Sequence, residues 1–245
     1  MVKSQPLELG WLTIRSPAPN CGANNGYGHS KLQVFACIRI WYVCIPFMIV
    51  SHEATLRTFR TALAETNDLI WDRTLGIDTA GDDCRPTAYH VLRKILAALP
   101  LQPDDVFIDI GCGRGRVLCL AAQRPIARAA GVEITPHHAA AAQRNLQRLR
   151  GRKAHDSSVF CGSAADFDLS GGTVFYLYNP FGGALFAQVA GNIRDAAMRG
   201  QRPVRLVYVN PVCRDVLDKS DWLQAPDVLY ADRAGKPAAL IYHSV

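Results

Sequence analysis

The residues whose types and spacing could do chemistry lie in VFIDIGCGRGRVLCLAA, residues 106–122. A short apolar run ends at Ile110, glycines follow at Gly111, Gly113 and Gly115, and a helix-like pattern begins at Arg116. Glycines at a strand end let the backbone turn tightly and approach a ligand, and the helix that follows offers unpaired N–H groups. In open α/β sheets ligands sit at the carboxyl ends of the strands. The spacing is G-x-G-x-G. A dinucleotide loop carries its third glycine one residue later, where this chain has Arg116. Asp109 stands two residues before Gly111, where a carboxylate repels a pyrophosphate and suits an ammonium. Glu133 ends the next apolar run, 22 residues after Gly111. An acid there can accept hydrogen bonds from both hydroxyls of a ribose. Together these residues describe a pocket for a nucleoside that bears an amino-acid tail and no phosphate.

S-adenosylmethionine is such a molecule. With DIGCGRG at 109–115 and GVEIT at 131–135, the chain resembles the class I S-adenosylmethionine-dependent methyltransferases. The stretches PTAYHVLRKIL, PDDVFIDIGCGRGRVL and FYLYNPFG look like a bacterial branch of small members, with a fainter likeness to Dot1-type lysine methyltransferases around the glycine loop. The resemblance spans roughly residues 70–245. It implies S-adenosylmethionine as cofactor, with Gly111, Cys112, Gly113 and Gly115 beneath its methionine portion, Asp109 near its ammonium and Glu133 on its ribose. Many members carry Gly-Asp-Ala after the third strand. This chain has Gly162-Ser163-Ala164, so Ser163, or Asp166 three residues on, would take the adenine contact. The fourth strand ends in Tyr178-Asn179-Pro180-Phe181, partly similar to the Asn-Pro-Pro-aromatic motif of amino-directed members, with the second proline missing. The likeness implies catalytic roles for three residues. Asn179 would orient an acceptor amine, while Tyr178 and Phe181 would exclude water and favour a developing cation. A second Asn-Pro, Asn210-Pro211, reads either as another wall of that cleft or as a turn device.

These residues need a regular frame. The expected fold is α/β: a Rossmann-like, doubly wound, mostly parallel seven-stranded sheet with an antiparallel last strand, plus an N-terminal helical segment. Strands are expected at 106–110, 129–134, 158–161, 173–178, 204–209, 228–231 and 239–243. Helices are expected at 53–71, from Pro86-Thr87 to Leu99, at 116–124, from Thr135-Pro136 to Arg150 with Gly151 as the stop, and at 185–198. Only DRAGKP separates the last two strands, too little for a parallel crossover, so they form a hairpin. Arg114 and Arg116 read as surface or helix-start residues, and His137-His138 as exposed.

The organisation expected is an N-terminal extension at 1–50, a helical lead-in at 51–103 and a cofactor-binding domain at 104–245. Residues 32–50 are apolar except where Gln33, Arg39 and Pro46 interrupt them. Arg39 would cost about 2.5–3.5 kcal/mol in a bilayer. Three readings stay open for this segment: a loosely docked extension, a membrane anchor, or residues that precede a true start at Met48.

The chain has 245 residues, of which 49% are hydrophobic and 20% charged, which excludes a mainly disordered protein. Half of the net charge of +6 lies in residues 1–50 and the other half is spread over the rest of the chain, a mild imbalance unlike the concentrated footprint of a dedicated nucleic-acid binder. Its one dense run, Arg144, Arg148, Arg150, Arg152 and Lys153, reads as a solvated helix face or a site for an anionic partner. Eight cysteines form no CxxC pair and no zinc-ligand spacing, so no metal is expected and a cytoplasmic setting with reduced thiols is. The expected partner is a methyl acceptor, either a protein side chain or a small molecule. Nucleic acid is not indicated, and a membrane enters only if residues 32–50 insert. The alternatives are a non-catalytic nucleoside-cofactor-binding scaffold and an NAD-dependent oxidoreductase. Asp109 and the displaced third glycine oppose the latter.

Overall fold

The computed structural model describes residues 63, 67–79, 86–200, 202–231 and 237–245. Two units divide the chain, Met1–Glu53 and Ala54–Val245, and every described residue falls in the second. The readings of residues 1–50 and the first part of the helix expected at 53–71 lie outside the described residues. Among the described residues no helix is long and apolar enough to cross a membrane.

Helix α1, described over 67–75, runs four residues past its expected end. It is followed by α2 (Tyr89–Ala98), β1 (Val106–Ile110), α3 (Arg116–Ala122), β2 (Arg128–Glu133), α4 (Pro136–Arg148), β3 (Asp156–Cys161) and β4 (Val174–Tyr178). Then come α5 (Gly183–Gly200), β5 (Arg205–Val209), α6 (Arg214–Asp218), β6 (Asp227–Ala231) and β7 (Pro237–His243). The seven strands form one sheet in the order β3-β2-β1-β4-β5-β7-β6. β7 pairs antiparallel with both β5 and β6, so it alone is reversed, as the five-residue connection requires.

Strand period sorts the core into two layers. Phe107, Tyr176 and Val207 face the layer under α1 to α4, while Ile108, Phe175 and Leu206 face the layer under α5 and α6. All six are at most 2% exposed, and burying a side chain of this size stabilises by about 1.5–3 kcal/mol. Helix α2 presents Tyr89, Leu92, Ile95 and Leu96 to the first layer and leaves Arg93 and Lys94 outside, the stripe expected of an amphipathic helix.

Two helix ends differ from expectation. Thr135 is the N-cap of α4 and Pro136 its first residue, yet the threonine side chain makes no capping hydrogen bond. Helix α4 also stops at Arg148 rather than Arg150. Tertiary structure overrides the glycine stop signal: Leu149 is buried and the Arg150 N–H donates to the Leu75 carbonyl at 3.0 Å. The short α6, held by the Arg214–Asp218 ion pair, carried no periodic signal.

At the amino ends of the strands, buried Asp105 clamps three of them. It accepts two bonds of 2.6 Å from Arg205, one of 2.7 Å from Thr173 and one of 2.6 Å from the Gln102 N–H. Burial raises its pKa, but these donors outweigh burial and hold it below the ordinary 3.8. Asp105→Ala strands the Arg205 guanidinium, and urea melts at pH 7 should show a loss of about 3–5 kcal/mol. Because the folded pKa is depressed, Asp105 contributes its stability above the unfolded value and loses it as pH falls through the folded one. The gap between wild type and variant should therefore close in acid.

Candidate active site

The glycine loop is bent by its backbone. Gly111, Gly113 and Gly115 all have positive φ, at +77°, +54° and +82°. The Gly111 and Cys112 N–H groups donate to the Val132 carbonyl at 2.9 Å, which ties the loop to β2. Gly111 is doubly constrained, because a Cβ there would lie 2.5 Å from Pro180 Cβ. Gly111→Ala should therefore push the 179–181 corner off the loop. Its expected result is at least about tenfold weaker binding of S-adenosylhomocysteine by calorimetry, together with a lower melting temperature.

Gly115 caps α3 without a side chain. Asp109, from β1, replaces the missing cap and takes the Leu118 backbone N–H. Asp109 lies between Gly131 and Tyr176 in register. It is 2% exposed, and its Oδ2 has no hydrogen-bond partner. Burial pushes its carboxyl up to about 8; the Leu118 hydrogen bond opposes the rise and the Glu133 charge adds to it. Glu133, at the end of β2, accepts the Gly113 N–H on Oε2 at 2.9 Å and the Thr135 N–H on Oε1 at 2.8 Å. A carboxylate offers about four lone-pair positions, so both oxygens keep one for a ligand.

Asp109, the glycine loop and Glu133 line one cavity of about 620 Å³. Cys112 lines it too, but its sulfur packs towards Gly131, and burial raises its thiol pKa well above the ordinary value, so it is no nucleophile. Tyr178, Asn179 and Asn210 form the facing wall. Tyr178 pairs with Val209 across β4 and β5, which sets the two Asn-Pro corners side by side. Both asparagines have left-handed φ, +39° and +48°, a region asparagine tolerates better than other non-glycine residues. The Tyr208 hydroxyl accepts the Cys213 N–H at 3.1 Å and donates to Asn179 Oδ1 at 3.3 Å. That arrangement fixes the Asn179 amide plane with Nδ2 left over.

Five residues depart from the sequence reading. Phe181 does not line the cavity; it packs towards Phe186, at 6.4 Å between ring centroids, in the second core layer. Asp166 is exposed and does not line the cavity, and neither does Ser163, whose hydroxyl accepts the Ala165 N–H. Arg116 is buried, not a surface residue. It pairs with Asp68 at 2.7 Å and Asp72 at 2.9 Å, and its Nε donates to Thr79. His138 is buried against the cavity, although His137 is exposed as expected. Sequence reasoning also missed Thr87, whose hydroxyl lies 2.7 Å from that of Tyr176 inside the cavity wall. An N-cap-like Thr after Pro86 was the available signal, and it pointed to helix initiation instead.

This strand order with β7 reversed, and a glycine loop between two strand-end acids, is the fold of the class I S-adenosylmethionine-dependent methyltransferases. A solved structure, precorrin-6y C5,15-methyltransferase from Geobacter metallireducens, shares it with a TM-score of 0.52 and 18% identity, over 70% of this chain and 97% of that one. An RNA methyltransferase from Salinibacter ruber aligns at a TM-score of 0.44 and 26% identity, over 65% of this chain and 92% of that one. More narrowly, residues 86–160 match the family described as histone methylation protein DOT1. A protein-lysine N-methyltransferase from Saccharolobus islandicus is 31% identical over 96 residues, which is 38% of this chain and 57% of that relative. The chain thus spans little more than half the length of that curated relative.

The site fits S-adenosylmethionine. The unpartnered Asp109 oxygen suits its ammonium, the spare lone pairs of Glu133 suit its ribose, and the Arg116 donors, taken by Asp68, Asp72 and Thr79, are not offered to a phosphate.

Proposed function

We propose that this chain binds S-adenosylmethionine and transfers its methyl group to an amine nitrogen of a protein side chain or small molecule. The observation that carries the reading is the buried, unpartnered Oδ2 of Asp109 at the cavity wall, an oxygen that a ligand ammonium would satisfy. The likeness to a protein-lysine N-methyltransferase supports a lysine-type amine. The cysteine usage supports a cytoplasmic setting.

When bound, the cofactor supplies a methyl group on a sulfonium, an activated leaving group. The chain contributes alignment and exclusion of water. Asp109 and Glu133 hold the two ends of the donor. Asn179, oriented through Tyr208, holds the acceptor nitrogen, and the Tyr178 ring shields it and favours the charge that develops there. The amine must attack as its neutral form: Asn179 Oδ1, which keeps a second lone pair beside the Tyr208 hydrogen bond, can accept an amine N–H, so the nitrogen's own lone pair stays free for the methyl carbon, and the methylated nitrogen then gives its extra proton to solvent.

Calorimetry of the full chain with S-adenosylhomocysteine and with NAD tests the cofactor assignment. Heat with the first and none with the second is expected; heat with NAD alone overturns it. Labelling a host proteome with methyl-tritiated donor should then place the label in methyllysine or another methylated amine. Label on oxygen or carbon would overturn the acceptor assignment.

A further inference from the structure

A second cavity, of about 410 Å³, opens at the far end of α3 and shares no lining residue with the first. Its wall includes Gln123 and Arg124, seven and eight residues beyond Arg116 and so about 10 Å along the helix axis from the glycine loop. The floor is apolar and aromatic, from Leu75, Tyr89, Leu96 and Leu120. The rim is cationic, from Arg93, Arg124 and Lys153, all exposed. Among the described residues no carboxylate lines this cavity, and none of the three cations has an acidic partner. Asp68 and Asp72, the acids on the adjacent α1, are both taken by Arg116.

Two further features extend the site. The Arg93 guanidinium carbon sits 3.7 Å from the Trp71 ring centroid, a cation–π contact that holds the planar group at the rim. Gln123 Nε2 donates to the Arg150 carbonyl at 2.8 Å, which brings the basic run at 148–153 to the rim. That run was conspicuous in the sequence, and the methyl-transfer site makes no use of it.

We infer that this cavity binds a nucleotide unit, with the base against the apolar floor and the Arg93 plane and the phosphate between Arg124 and Lys153. Flat aromatic bodies stack on guanidinium planes and aromatic rings, and phosphates pair with arginine and lysine. An acidic peptide would satisfy the rim and leave the aromatic floor uncovered. The source could be a free nucleotide or a single-stranded nucleic acid, and the shared chemistry is a base beside a phosphate.

Fluorescence anisotropy of the full chain with a fluorescein-labelled 12-nucleotide single-stranded RNA, and in parallel with labelled ATP, tests this. Saturable binding is expected in at least one arm. An RNA arm should weaken by about tenfold or more between 50 and 200 mM salt. Displacement of the RNA by ATP assigns the free nucleotide, and its retention assigns the polymer. The double variant Arg124→Glu/Lys153→Glu should bind at least about tenfold more weakly. Its log–log salt slope for RNA should be shallower by about 0.7, for the one phosphate no longer neutralised. Arg93→Lys keeps the charge and removes the plane, so it should still bind several-fold more weakly. Unchanged melting temperatures show that the variants fold. Absence of binding in both arms at 50 mM salt, equal binding by either variant, or equally tight binding of labelled polyglutamate each overturns the proposal. S-adenosylhomocysteine binding is read separately, so a failed nucleotide site and a failed cofactor assignment give different results.

Discussion

Asp109→Asn is expected to weaken cofactor binding strongly and, at the same time, to make the folded chain more stable at neutral and alkaline pH. The two effects have one cause. In the folded chain the Asp109 carboxyl keeps its proton up to about pH 8, because burial penalises the charged form. In the unfolded chain it ionises near 3.8. Between those values the folded state holds one proton more, so the contribution to stability is greatest below the unfolded pKa and is lost as pH rises, by about 1.4 kcal/mol per pH unit, until it levels off above 8. An amide of the same shape can still accept the Leu118 N–H and carries no charge to desolvate. Urea melts should therefore show the variant gaining on wild type between pH 5 and 8. Binding runs the other way. A ligand ammonium restores the charged form of Asp109, so below pH 8 association should release a proton, seen as a dependence of the calorimetric heat on buffer ionisation enthalpy. Affinity for S-adenosylhomocysteine should rise as pH approaches 8. The variant should lose both the proton release and about 2–5 kcal/mol of binding, the cost of removing one side of a buried charge pair. A variant that binds as wild type does would remove Asp109 from the site.

Glu133→Gln should be nearly as damaging as Glu133→Ala. Each oxygen of Glu133 accepts a backbone N–H, from Gly113 on one side and Thr135 on the other. A glutamine amide can accept on one side only and turns its NH₂ towards a second donor. One loop N–H is then left unpaired at a buried position, a cost of about 1–3 kcal/mol, and the site loses an acceptor for the ribose. The expected result is roughly hundredfold weaker binding of S-adenosylhomocysteine, measured by calorimetry. The Glu133 charge also raises the Asp109 pKa, so the pH above which affinity levels off should fall in the variant. An isosteric amide that bound normally would show that the loop does not depend on this carboxylate.

That the glycine loop and the two strand-end acids meet in one cavity was legible because their signals are local. Glycine spacing, the acid two residues upstream and the acid at the next strand end all follow from what a short backbone segment can do. The reversed β7 was legible for the same reason, since six residues cannot hold a crossover. What escaped the sequence was long-range pairing. Arg116 looked like a helix-start residue, and its partners Asp68 and Asp72 lie 48 and 44 residues away. The Asp105–Arg205 clamp spans 100 residues and the Thr87–Tyr176 contact 89. Nothing in the spacing of such residues announces that they meet. Phe181 shows the reverse error: an aromatic beside a motif was read as part of the site, and the adjacent core layer took it.

The place of β7 between β5 and β6 bears on how the protein is made. A nascent chain leaves the ribosome with β1 to β4 first, and these carry both strand-end acids and the glycine loop. β5 and β6 emerge next with nothing between them, each with an open edge, until the seventh strand slides in and zips both. Released chains truncated before that strand should therefore be the sticky ones, prone to capture by chaperones at an edge that the finished molecule never displays.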